Sequence, residues 1–246
     1  MNEEEILALT ALRDAIAAIH GNPDLTANHE CLAEWWGYFD GNNAPLVQWT
    51  IRPERYPDLP GEELSAMLAQ VPEALQNLEA AGFANAINDA LSGALQNMED
   101  APNASTLGWI AAFCYAVTWK LDRLMASHHV LTGILEAQAP PQLGREGLVF
   151  RMFGRHLANP ALMPIVDRNT VRACAFINAG ANLPAYPINL APMINANGVT
   201  VAGANSLLEL WNMVVGVNPN LDQRRLFDKV LFSMGRAVKA MFPGER

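Results

Sequence analysis

Apolar side chains return every three or four residues along almost the whole 246-residue chain, and that spacing confines it to helices. Ile6, Leu9, Leu12, Ile16 and Ile19 form one such stripe, which Gly21-Asn22-Pro23 ends. A second short helix is expected after Asn28, carrying Trp35, Trp36 and Phe39. The four prolines between Asp40 and Gly61 predict an extended connection. Helices then follow over Glu62–Ala81, with a kink or break at Pro72, and over Ala84–Met98. Ile110, Phe113, Cys114, Val117, Leu121, Leu124 and Met125 belong to a further helix, apolar on most of its faces and so surrounded by others. Beyond Pro140-Pro141, short helices are expected near Gly144–Leu157 and Arg168–Asn178, and two more near Ser206–Gly216 and Asp222–Phe242. No stretch alternates with a period of two, and no segment repeats. The expected fold is all-α.

Charge is distributed unevenly along this helical chain. The net charge of −9 divides into −14 over residues 1–100, with 17 acidic and 3 basic side chains, and +5 over residues 101–246, with 8 acidic and 13 basic. Two regions are expected on that basis, an acidic one over 1–100 and a basic one over 101–246. The overall acidity argues against a polyanion partner, but the local balance of the second region does not.

Several function classes lack their signatures. There is no glycine-rich phosphate loop, nucleophile elbow or His-Glu-x-x-His motif, so no catalytic residue, metal site, cofactor or small-molecule substrate is expected. His128 and His129 are adjacent and would point about 100° apart on a helix, which suits a polar surface better than a shared ligand. Cys31, Cys114 and Cys174 are few and far apart, as expected of buried thiols in a reducing compartment. The N-terminus Met-Asn-Glu-Glu-Glu lacks a signal-peptide pattern, and no apolar window is long enough to span a bilayer, so no membrane is expected.

The basic residues of the second region fall into rows. Arg151/Arg155 and Arg168/Arg172 are i, i+4 pairs on neighbouring expected helices, with His156 beside the first. On the last helix Arg225, Lys229, Arg236 and Lys239 share a sector of about 80°, opposite an apolar face. Such rows suit successive phosphates, and the forked guanidinium matches phosphate oxygens. They are equally compatible with solvated faces, or with pairing to the acidic first hundred residues within or between subunits. One further segment, Ala173–Leu208, runs 36 residues without a charge. It fits either a buried connection within its own subunit or a subunit interface, whose centre is depleted of charge.

Several short motifs are similar to those of phlebovirus and tenuivirus nucleoproteins. In order they are Ala80-Ala81-Gly82-Phe83, Thr170-Val171-Arg172-Ala173-Cys174-Ala175-Phe176, Ala185-Tyr186-Pro187, Leu210-Trp211-Asn212-Met213-Val214-Val215-Gly216-Val217-Asn218-Pro219-Asn220-Leu221 and Met234-Gly235-Arg236-Ala237-Val238. The Gly216-Val217-Asn218-Pro219 step also resembles coat proteins of flexuous filamentous plant viruses. The chain departs from these patterns at two places. Val117-Thr118-Trp119-Lys120 stands where the nucleoproteins carry an Arg-Gly pair, and Glu209-Leu210-Trp211-Asn212 replaces the aromatic-Asp-aromatic core of the coat proteins.

The resemblance implies a two-lobed helical bundle with an N-terminal helical arm, and an RNA-encapsidating nucleoprotein or coat protein of virion and host cytoplasm. Under this reading Lys120, Arg123, Arg145, Arg151, Arg155, His156, Arg168 and Arg172 are the candidates for holding RNA, single-stranded in the simplest case, by its phosphates. Trp119 or Phe153 is a candidate for stacking on bases. Ile6, Leu9, Leu12, Ile16 and Ile19 are the candidate oligomerisation face, docking on the next subunit of a ring or filament. The alternative is an α-helical adaptor or scaffold that binds protein and has no nucleic-acid role.

Overall fold

The computed structural model describes residues 1–20, 29–51, 129–130, 132–133, 136, 143–158, 163–180, 193–195, 198–215 and 221–242. Helix α1 (Glu3–His20) begins with a reciprocal cap. The Glu5 N–H donates to Asn2 Oδ1 (2.8 Å) and the Asn2 N–H to Glu5 Oε2 (2.7 Å), so one acidic residue of the first turn satisfies the backbone directly. Helix α2 (His29–Gly37) is followed by a single 3₁₀ turn, Val47–Trp49. After these come α3 (Leu148–Ala158), α4 (Arg168–Ala179), α5 (Val201–Val215) and α6 (Leu221–Met241). Between α4 and α5, Ile194–Asn195 and Gly198–Val199 form a two-residue antiparallel bridge that pairs Ile194 with Val199. The described residues are all-α apart from that bridge.

Contacts divide the chain into two compact units, Met1–Tyr56 with Pro164–Arg246, and Pro57–Met163. The first unit carries 14 acidic and 11 basic side chains, a net of −3, and the second 11 and 5, a net of −6. Neither unit is basic overall.

The core of the first unit lies where α4 packs along α6, with α1, α2 and α5 against them. Phe227 of α6 sits between Trp35 and Trp211, its ring centroid 6.0 Å and 5.8 Å from theirs. Val171, Cys174 and Phe176 of α4 and Val230, Leu231, Met234 and Val238 of α6 are fully buried around it. The helix–helix approach requires a glycine, because a Cβ at Gly235 would lie 1.9 Å from the Asn169 carbonyl oxygen. Asp167 caps α4 by accepting from the Asn169 and Thr170 N–H groups, and Thr170 Oγ1 accepts from the Asp167 N–H in return.

The apolar stripe of α1 faces this core. Leu9, Leu12 and Ile16 are fully buried, Ile19 nearly so and Ile6 half-buried, while Leu7 on the opposite side is 64% exposed. In the structure four of the five residues expected to dock on a neighbour, Leu9, Leu12, Ile16 and Ile19, are thus interior side chains of their own unit, and Ile6 lies at its edge. Burying that stripe against α4, α5 and α6 removes it from water at a gain of about 1.5–3 kcal/mol per large side chain, which a free arm forgoes. Arg13 is buried beside it, its guanidinium 5.2 Å from the Phe176 ring centroid and its Nε donating to Asp14 Oδ1.

Other boundaries differ from expectation for local reasons. Helix α5 begins at Val201 rather than near Ser206, because Thr200 Oγ1 accepts from the Gly203 N–H and donates to the Met193 carbonyl. Helix α3 begins at Leu148, after Gly147 at φ +59°, a left-handed conformation that favours glycine. Within the charge-free segment Ala173–Ile177 and Ala204, Leu207 and Leu208 are buried in their own unit, while Asn178, Ala202 and Asn205 are exposed. The helices expected between residues 62 and 125 lie outside the described residues.

Candidate anion-binding site

In the second unit two glycines set the geometry around α3. A Cβ at Gly133 would lie 1.9 Å from the Arg151 carbonyl oxygen, and one at Gly147 would lie 2.1 Å from His129 Cγ. Only hydrogen at those positions lets His129 and Gly133 lie against the start of α3. Glu136 then reaches back to the arginine row. Arg151 Nη2 donates to both carboxylate oxygens of Glu136, each at 2.6 Å, and Arg155 Nη2 donates to Oε2 at 3.3 Å.

The two arginines differ in access. The Arg155 side chain is 3% exposed, against 24% for Arg151 and 34% for Glu136. Burial pushes the Glu136 carboxyl upward, but the hydrogen bonds and charges of Arg151, and then of Arg155, outweigh it and hold the group below an ordinary glutamate. His156 is buried on the same helix, its Nδ1 donating to the Met163 carbonyl at 2.8 Å. Beside the pair opens a cleft of about 240 Å³ lined by His129, Thr132, Glu146 and Arg151. Arg145 is exposed.

The second row belongs to the first unit. Arg168 is exposed in the first turn of α4, whereas Arg172 is 4% exposed and its Nη1 donates to Asn169 Oδ1 at 3.1 Å. Of the eight expected RNA contacts, Arg155, His156 and Arg172 are therefore buried and bonded internally, and Arg151 is ion-paired. Arg145 and Arg168 are exposed, and Lys120 and Arg123 lie outside the described residues. Within each row the second arginine is buried, because a row that is amphipathic in sequence acquires tertiary partners on folding. Phe153 is buried, as core, and Trp119 lies outside the described residues.

On α6, Arg236 Nη1 donates to the Trp49 and Thr50 carbonyls, and Ser233 Oγ accepts from the Ile51 N–H at 3.0 Å. Part of the cationic face therefore fastens the chain after the 3₁₀ turn. Lys239 is exposed.

Glu136 was the residue that row-counting missed. A signal for it exists, since it is the only Asp, Glu, Lys or Arg between Arg123 and Arg145. A lone charge in so neutral a stretch is a candidate for a buried or paired position.

Other chemistry is limited among the described residues. No group of three or more His, Cys, Asp or Glu side chains is arranged to hold a metal. Burial, and then the Glu209 charge, push the Cys174 thiol up to about 12 against a hydrogen bond from Asn178, so it stays a protonated core thiol rather than a nucleophile. No described helix is long and apolar enough to cross a membrane.

No protein-family model matches the chain, and neither a curated protein nor a solved structure matches it.

Proposed function

We propose that this chain is an RNA-encapsidating protein of the viral nucleoprotein or coat-protein kind, which self-assembles and holds RNA phosphates without reading sequence. The observation that supports this reading is spatial. Three motifs carrying the resemblance, separated by tens of residues in sequence, pack around one core. Thr170–Phe176 forms α4, Leu210–Val215 ends α5, and Met234–Val238 lies in α6, where Gly235 meets Asn169. Exposed Arg145 and Arg168 and half-exposed Arg151 are the described candidates for phosphate contact. Lys120 and Arg123 are further candidates. Self-association would use surfaces other than the α1 stripe as it is packed here, or would require α1 to leave its core.

A second reading, an α-helical adaptor without a nucleic-acid role, is favoured by the internal bonding of Arg155, His156 and Arg172. Titration of the nucleic-acid-free chain with fluorescent oligouridylate separates the two. An encapsidating protein binds at low salt, and log affinity falls linearly with log salt at about 0.7 per phosphate neutralised on a single strand. An adaptor shows no binding at any salt concentration.

A further inference from the structure

We infer that Glu136 is an internal stand-in for phosphate: in the RNA-free subunit it fills the Arg151 fork, and a backbone phosphodiester takes its place there. The inference rests on the RNA-binding reading and supplies a device that regulates that same surface. Both Glu136 oxygens accept from one guanidinium nitrogen, Nη2, at 2.6 Å, a charge-assisted contact of the kind that phosphate oxygens also make with arginine. The exchange conserves charge, since a carboxylate and a phosphodiester each carry one negative charge. It is sterically open, because Arg151 and Glu136 reach solvent and the cleft ends on Arg151, while buried Arg155 stays behind as a fixed cation. His129 and Thr132 line the same cleft. Glu146 opposes an incoming phosphate from the cleft lining, so entry is selective for a ligand held by several contacts at once.

The exchange has two consequences. RNA must break the internal pair before it gains Arg151, so the carboxylate holds affinity down. A phosphate that replaces Glu136 also displaces no salt ion from Arg151, so that contact adds nothing to the salt dependence.

The test uses the full chain, stripped of nucleic acid at high salt and titrated with fluorescent oligouridylate. E136Q is expected to bind about five- to tenfold more tightly, the scale of one charge-assisted contact. Its salt slope is expected to steepen by about 0.7, one more counterion equivalent on a single strand. R151A weakens binding in the wild type, and in the E136Q background it abolishes the gain. E136D, which keeps the charge but falls one methylene short of the fork, gives a smaller gain and decides the matter if E136Q does not fold. Wild-type binding that R151A weakens, with no gain from E136Q or E136D, overturns the stand-in and leaves the RNA reading standing. Absence of binding by the wild type and by the folded variants overturns both. Binding by E136Q alone supports both.

Discussion

The two arginine rows are the same in sequence and differ in what the fold does with them. In each, the second member is buried, Arg155 at 3% and Arg172 at 4% exposure, and the first reaches solvent. In the second unit both members of the row bond a full carboxylate, Glu136, from a distant part of the chain. In the first unit Arg172 bonds a neutral amide three residues away, Arg236 bonds two carbonyls, and Asp228 accepts from the Ile165 N–H. Helical spacing alone therefore does not say whether a cationic row meets ligand, countercharge or dipole. Glu136 is the carboxylate of this contrast whose titration is held low by its arginine partners.

The largest expected effect tests the apolar side of this contrast. Leu12→Ala, within the α1 stripe, is expected to cost about 2–5 kcal/mol in denaturant unfolding, while Leu7→Ala is expected to stay within about 0.5 kcal/mol. Equal small effects would show that α1 does not pack in its own unit. Arg155→Ala comes next, at about 2–3 kcal/mol, because it removes a buried stem and one partner of a carboxylate that is only partly solvated. A smaller loss than that of Arg168→Ala would contradict the burial described for the first row.

A pH titration sharpens the comparison further. Glu136 titrates lower in the folded chain than in the unfolded one, so its contribution is present above the ordinary glutamate range and is lost as pH falls through it. As pH falls through and below the ordinary glutamate range the wild type should lose a small part of its stability on this account, since solvent screens a partly exposed pair. E136Q should lack that component. An identical acid profile in the two proteins would separate Glu136 from acid stability. The smallest effect is expected of Arg168→Ala and Arg145→Ala, which should leave stability within about 0.5 kcal/mol while weakening oligouridylate binding.

Much of the fold is legible in the sequence because it follows from one local rule. The stripe from Ile6 to Ile19 forms α1, the residues after Asn28 form α2, and the span proposed for the last helix differs from α6 by one residue at each end. Asn2 and Glu5 stand at capping-box spacing, a signal present in the sequence that charge counting passes over. What helical spacing does not carry is the identity of long-range partners. Glu136 lies 15 residues from Arg151 in sequence, and Ile51 lies 182 from Ser233. Whether the α1 stripe packs inward or on a neighbour is likewise a tertiary question. Gly133 and Gly147 mark positions where backbones or rings approach, yet a glycine alone does not name what approaches it.

The proposal of RNA encapsidation is tested most directly by the mass of the purified full chain in solution, measured by light scattering with its absorbance spectrum, before and after ribonuclease. The account predicts a large particle with a nucleic-acid spectrum, whose RNA component is lost on digestion or is released at high salt. A nucleic-acid-free protein of a single chain's mass, which takes up no added oligouridylate at low salt, would contradict it.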